Sequence, residues 1–551
     1  SEVLRVEKIG IHDNFFRIGG DSIISIQMVA KARQEGIHIT VKNIFNHPTI
    51  AALALVVERE EKALSFKPEQ NLVQGNIPLT PIQHWFFEQN LENKHHYTQA
   101  LLLQVYERIN PSLLFQAFQL LISHHDALRC RYSQESAETW RQINLDHEEN
   151  ASIWHTFDLP HILDKDLPIQ IEQHANLLQQ NLHIEVGPLI KIALFNCGQE
   201  RPSRLLIIIH HLVVDGVSWR ILLEDLNYVY QILEEGKALS LPSKTHSYQQ
   251  WGQALLSYAQ SEELKQQIPY WRAVAQSIRP LPIDFDKGPN TRSHTQTIIA
   301  SLSQEETTAL LQKVPKAYRT QINDILLTAL TLTVGEWTQS YSLSLSLEGH
   351  GREDIIKDID LSRTIGWFTS IFPVHLTIEH PDDLAEAIKI VKESLRKIPD
   401  KGIGYGILKY LTPGNPLSTS IISSPSALSI NPSLSFNYLG QWDNTFSQEK
   451  LFSFAEESAG YSVANENLSP YLLTINSEVR QGNLHVYWDY STNHYRIETI
   501  ERLAHIFIDK LKQLIQHCSQ EHNFGYTPSD FDLEVSSVRE LEQRLDLIKE
   551  N

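Results

Sequence analysis

The chain has 551 residues, too many for a single hydrophobic core, so two to four domains are expected. Its 47 lysines and arginines against 66 aspartates and glutamates leave a net charge of −19, which argues against a nucleic-acid or anionic-membrane partner. No apolar run reaches the roughly 18 residues of a membrane span, the opening SEVLRVEKIG lacks signal-peptide features, and Cys130, Cys197 and Cys518 are scattered without metal-ligand or redox spacing.

Scattered cysteines suit a reducing, cytoplasmic compartment. The single methionine, Met28, lies inside a helical pattern, so the chain is expected to be a fragment of a larger protein. Residues 1–60 read as a small all-α unit. An amphipathic start leads to the turn Gly19-Gly20, and a helix runs from about Ser22 with Ile23, Ile26 and Ala30 on one face. His47-Pro48 breaks the chain before a short apolar helix from Ile50 to Val57. Residues 61–76 are polar without a stable period and read as a linker.

From residue 77 to about 530, strand-like and helix-like stretches alternate, an α/β pattern. The length suggests two lobes, 77–250 and 251–530, with a cleft between them. Arg204 to Ile209 is a short apolar run suited to a buried strand, and Leu222, Leu226 and Val229 mark the helix after it. Ile322, Ile325, Leu326, Ala329 and Leu330 mark a second helix. Ser342 to Leu347 then alternates Ser and Leu, the pattern of a half-buried strand. In the tail, 531–551, Val538, Leu541, Leu545 and Ile548 fall on one side of a short amphipathic helix, a candidate for docking a partner.

Three strings carry chemistry. In Phe15-Phe16-Arg17-Ile18-Gly19-Gly20-Asp21-Ser22-Ile23, a flexible turn presents a serine at a helix start. Free backbone N–H groups and the helix dipole favour an attached phosphate there, although serine is also an ordinary N-cap. His210-His211-Leu212-Val213-Val214-Asp215-Gly216 comes off the buried strand and leads into a helix. Histidine is the natural general base near neutral pH. Paired histidines with an aspartate also suit a metal, but no third ligand of obvious spacing accompanies them, so no metal site is expected. Asp215 also suits the cap of the following helix. Glu348-Gly349-His350-Gly351-Arg352-Glu353 follows the Ser/Leu strand, where a carboxylate can be a second acid/base group and glycines permit close backbone approach. Ser123-His124-His125-Asp126-Ala127-Leu128-Arg129 also pairs histidines, but at a helix end and without the spaced Asp-Gly. It is expected to be structural.

Together these strings resemble a nonribosomal peptide synthetase fragment: a peptidyl carrier domain followed by an epimerization domain of the condensation-domain superfamily. Pro81 to Phe86, Arg363 to Thr369, Phe372 to Val374 and Phe436 to Gln441 resemble further motifs of that superfamily, in the right order. The resemblance implies a four-helix carrier, then a two-lobed chloramphenicol acetyltransferase-like fold. It implies 4′-phosphopantetheine on Ser22, with Asp21 in the acidic form seen in carriers that precede epimerization domains. It makes His211 the active histidine of its pair, with His210, Asp215 and Gly216 structural near the site and Asp215 paired with an arginine. The Glu348 string resembles a motif of epimerization domains that acyl-transferring condensation domains do not normally carry. Asn437 and Tyr438 either pack or line the site, where they would hydrogen-bond the thioester oxygen or a catalytic group.

The implied activity is inversion of an aminoacyl or peptidyl thioester without pyridoxal phosphate, by α-proton removal and return. The implied partners are an upstream adenylation domain, a downstream condensation domain and a phosphopantetheinyl transferase. The rival readings are a condensation-type acyltransferase forming a peptide bond, and a non-catalytic docking module.

Overall fold

The computed structural model describes residues 3–4, 8–37, 39–57, 67–105, 109–136, 139–147, 152–237, 241–414, 416–417, 432–442, 451–520 and 522–531. The expected tail helix therefore lies, beyond Phe531, outside the described residues, as do residues 61–66 of the expected linker. No described helix is long and apolar enough to cross a membrane.

The first unit is helical. A 3-10 turn, Phe15–Ile18, leads to α1 (Ser22–Gln34), α2 (Val41–Asn46) and α3 (Ile50–Val56). Each of these helices starts where a side chain can take an orphan backbone N–H: Asp21 caps α1, Thr40 caps α2 and Thr49 caps α3. Phe15, Ile24, Val29, Ile39, Ile44 and Leu53 fill the small core. Of the amphipathic start, residues 1–2 and 5–7 fall outside the described set. Ile24 rather than Ile23 enters the core of α1, because Ile23 turns toward the second unit beside Gly440.

The second half of the expected linker is packed rather than free. Val73 is buried, its N–H reaches Asp126, and Gln70 bonds Lys244 through both amide atoms.

Fourteen strands follow among the described residues. They are β1 (Gly75–Ile77), β2 (Thr98–Val105), β3 (Cys130–Gln134), β4 (Trp140–Asn144), β5 (Trp154–Asp158), β6 (Ile190–Asn196), β7 (Ser203–His210), β8 (Thr295–Ser301), β9 (Ser342–Gly349), β10 (Ser370–Thr377), β11 (Leu434–Gln441), β12 (Phe452–Phe454), β13 (Leu473–Arg480) and β14 (Asn483–Ser491). One sheet runs β12-β2-β7-β6-β5, a second runs β10-β9-β11-β13-β14-β8, and a small third runs β1-β4-β3. A division at 250/251 would cut the helix Tyr248–Tyr258, so the chain does not part there. The halves also exchange material: β12, from the second half, pairs with β2.

The Ser/Leu strand departs from its expected half-burial. β9 lies inside its sheet between β10 and β11, and the consecutive residues Leu343 to Leu347 are all buried, so both faces are covered. Its serines are satisfied there: Ser344 Oγ accepts from Arg279 N and bonds His375 Nδ1. The strand also runs past Leu347, so Glu348 stands within it, opposite Ile371, rather than after it.

Candidate functional site

Strand β7 ends at His210, and the chain turns at once through His211–Val213 into the helix Gly216–Glu234. Asp215 caps that helix through Ser218 N–H at 2.8 Å. Its other oxygen accepts from Arg352 Nη1 at 2.7 Å and from Phe368 N–H at 3.1 Å. Burial pushes the Asp215 carboxyl up, but the Arg352 guanidinium and the hydrogen bonds outweigh it and hold the group below the usual range. Arg352 also reaches Ser218 Oγ and Thr364 O and lies over the Phe368 ring. This buried ion pair ties the histidine turn of the first half to the Glu348 segment of the second. Gly351 makes it possible. Its φ is +67°, and a Cβ there would stand 1.7 Å from Phe368 O.

The two histidines have different environments. His210 is fully buried, donates from Nε2 to Lys94 O at 2.8 Å and accepts from Leu212 N–H at Nδ1. Burial pushes it down to about 3, so it stays neutral and structural.

His211 lies on Trp367, with ring centroids 4.2 Å apart, and beside Tyr97. Its Nδ1 donates to Val214 O at 2.9 Å. Its Nε2 faces the Gln99 amide at 3.0 Å. Trp219 Nε1, which can only donate, bonds Gln99 Oε1 at 2.7 Å, so the Gln99 atom facing His211 is the N–H. The contacts therefore fix one tautomer: Nδ1 carries the proton, and Nε2 offers a lone pair held by Gln99. Burial lowers the His211 pKa in agreement with that neutral form.

Glu348 and Asn437 meet across the neighbouring strands β9 and β11, where Asn437 Nδ2 donates to Glu348 Oε2 at 2.8 Å. Burial raises the Glu348 carboxyl to about 7. The Tyr97 ring stacks beside His211, and burial, with the Glu348 charge, pushes its hydroxyl up to about 12.

A cavity of about 370 Å³ joins Gly20, Asp21 and Ser22 to Gly216, Glu348, Asn437 and Tyr438. His211 does not line it; the cavity meets the histidine turn only at its end, from Asp215 to Val217. The Tyr438 hydroxyl is buried with no hydrogen-bond partner among the described residues.

Ser22 opens α1 and lines this cavity. The backbone N–H groups expected to be free there are not: Asp21 Oδ1 accepts from Ile23 N–H at 2.9 Å and Ile24 N–H at 2.7 Å. Asp21 Oδ2 is buried without a hydrogen bond, in the field of Arg220. Burial outweighs that field and the backbone bonds, so its pKa is raised.

The contact surface between the helical unit and the second unit combines apolar and polar contacts: Ile26, Val29 and Ile39 face Ile356, Ile359 and Leu361. Gln441 donates to Gly19 O, Arg33 pairs with Asp360, and Lys42 N–H reaches Asp354. Lys401 lies over Phe45. The His124-His125 pair serves structure: His125 bonds Asp225, which also pairs with Arg363, and Asp126 holds Arg129 and Lys244.

Gln99, Trp219, Tyr97 and Arg352 brace the histidine turn, and sequence reasoning does not single them out. Three of them carry no motif signal of their own. Arg352 stands inside the Glu348 string and is the nearest arginine to draw on.

Comparison with known proteins matches a phosphopantetheine attachment site over residues 1–57 and a condensation domain over residues 73–534. The chain is 42% identical over 550 residues to one of the linear gramicidin synthase proteins of Brevibacillus parabrevis, covering 98% of this chain and 7% of that protein. It is 38% identical to gramicidin S synthase 1 of Brevibacillus brevis, covering 100% of this chain and 50% of that protein. Among solved structures, the epimerization domain from the third module of tyrocidine synthetase B aligns with a TM-score of 0.75 at 39% identity, over 82% of this chain and 99% of that one. The X-domain from teicoplanin biosynthesis shares the fold at 17% identity and a TM-score of 0.63, over 82% of this chain and 98% of that one. The chain spans half or less of each of these synthetases.

Proposed function

The chain belongs to the condensation-domain family and carries a phosphopantetheine attachment domain, and from that premise we propose that it inverts the α-carbon of an aminoacyl or peptidyl residue held on Ser22. The observation that carries this reading is the one cavity that both Ser22 and Glu348 line. Peptide-bond formation by the histidine turn would need no buried carboxylate at that position.

The residues fit a phosphopantetheine arm. Ser22 and Tyr438 line the same cavity, and the Tyr438 hydroxyl is buried there without a hydrogen-bond partner among the described residues. When bound, the arm presents its cargo as a thioester, which acidifies the α-carbon and brings it in at high effective concentration.

The chain's own groups then divide the work. A carboxyl near 7 exists in both forms at neutral pH, so Glu348 can release or hold a proton at its oxygens. Asn437 fixes one of those oxygens and leaves the other to the cavity. His211 rests neutral with its lone pair on Nε2, the complementary state to a protonated Glu348. Two groups of opposite protonation, one from each half of the chain, are what removal and return of a proton on opposite faces require. Gln99 must yield Nε2 for His211 to take a proton, which makes Gln99 a positioning residue. Tyr438 is the candidate donor to oxygen charge as it develops.

Inversion on Ser22 calls for a transferase to arm the serine, an upstream adenylation domain and a downstream condensation domain. The chain's likeness in sequence to peptide synthetases, and in structure to an epimerization domain, supports it.

The test is to arm the chain with a phosphopantetheinyl transferase and an L-aminoacyl coenzyme A, and to read the chirality of the released residue. D-residue accumulating to a mixture supports the reading. Unchanged L-residue across several side chains and short peptides, with peptide formed once an amine acceptor is added, establishes acyl transfer instead.

A further inference from the structure

Two connections that brace the histidine turn meet at the surface. One is the segment Lys94–Tyr97, whose Lys94 O accepts from His210 and whose Tyr97 O accepts from His211 N–H. The other is the turn that follows the helix Leu167–Gln180 and leads into β6. Where they touch, His95 and His183 stack face to face with centroids 4.0 Å apart and planes 21° apart. Glu185 Oε2 lies 3.0 Å from His183 Nδ1 and 3.8 Å from His95 Nδ1. The three side chains offer donor atoms that all stand within 4.8 Å of one another.

Protons alone serve this cluster poorly. His183 Nδ1 faces the Val186 N–H at 3.4 Å, which asks for a lone pair, and the Glu185 carboxylate, which asks for a proton. His95 Nδ1 likewise faces the Ile184 N–H at 3.3 Å and the same carboxylate. Both N–H contacts are long, and the carboxylate at 3.0 Å is the nearer partner of His183 Nδ1. Two imidazoles and a carboxylate with donor atoms this close together can share one cation.

The spacing suits a metal. Bonds of about 2.0–2.2 Å to imidazole and carboxylate place donor pairs roughly 3–4 Å apart around one ion. The three side chains are 34%, 46% and 38% exposed, so an ion can enter and keep water at its remaining position. Two imidazoles and one carboxylate select a borderline ion over calcium or magnesium.

We propose that His95, His183 and Glu185 form a site for a divalent cation of the zinc class. The ion would staple together the two connections behind His210 and His211. The three cysteines are buried and do not compete for it.

The test uses untagged full chain stripped with chelator, titrated with Zn²⁺ by calorimetry and with Co²⁺ by its visible spectrum. One equivalent should bind, with a low-symmetry Co²⁺ spectrum. His183→Ala and Glu185→Gln should each weaken binding by roughly a hundredfold, at the top of what losing even a supporting group costs. Both side chains are solvent-accessible, so neither variant should unfold the chain. Zn²⁺ should raise the Tm of the wild type and leave that of His183→Ala unchanged. Failure of the wild type to bind one equivalent, or binding by both variants as tight as wild type, overturns the site.

Discussion

Of the adjacent histidine pairs in the first half of the chain, His124-His125 and His210-His211 come to opposite ends. His125 sits at the end of the helix Pro111–His124 and spends its ring on Asp225, whose other oxygen is taken by Arg363. His211 sits at the end of a buried strand, and its Nε2 is held only by an amide that can swing away. The first pair is locked into a charge network; the second keeps a lone pair in reserve. A paired histidine is therefore a poor signal by itself, and what each nitrogen touches decides its use.

Removing the rings should separate the two pairs most sharply. His211→Ala and Glu348→Gln should each cut inversion by roughly 10²–10⁴-fold while Ser22 still loads, measured by chiral analysis beside a loading assay. His125→Ala should leave inversion by the folded chain near wild type. Its cost is in stability, about 2–4 kcal/mol by denaturant unfolding, because Asp225 stays buried with one partner fewer.

Glu348 gives a pH-dependent version of the same contrast. Its folded pKa of about 7 lies above the ordinary 4.5, so between those values the folded chain holds the proton more tightly than the unfolded chain. Stability therefore falls as pH rises through that window, and the loss is complete above about pH 7. Glu348→Gln should add about 2–3 kcal/mol to unfolding at about pH 8 and nothing near pH 4.

Gln99→Leu should have the smallest effect, about tenfold on inversion. It also carries a signature that simple misfolding would lack. The Gln99 N–H favours unprotonated Nε2, so its removal raises the His211 pKa. The acid limb of the pH profile should then move to higher pH.

Much of this was legible in residue order. The strand before His210, the helix after Asp215 and the start of α1 at Ser22 follow from apolar runs, period and caps. What escaped was whatever depends on elements meeting from far apart. Gln99 lies on β2 and Trp219 on the helix after the histidine turn, so their shared grip on His211 has no local pattern. The SLSLSL alternation indicated a strand but not its depth, because the hydroxyls find partners in His375 and Arg279. Asp21 read as a family marker, whereas in the structure it already occupies the backbone N–H groups expected to be open.

The claim at the centre is that His211 and Glu348 serve opposite faces of one α-carbon. The direct measurement loads Ser22 with the L- and the D-residue separately, in heavy water, and follows α-deuterium in the His211→Ala and Glu348→Gln variants. Each variant should exchange one enantiomer without inverting it, and the two variants should choose opposite enantiomers. Exchange of the same enantiomer by both, or of both enantiomers by either, would contradict the account.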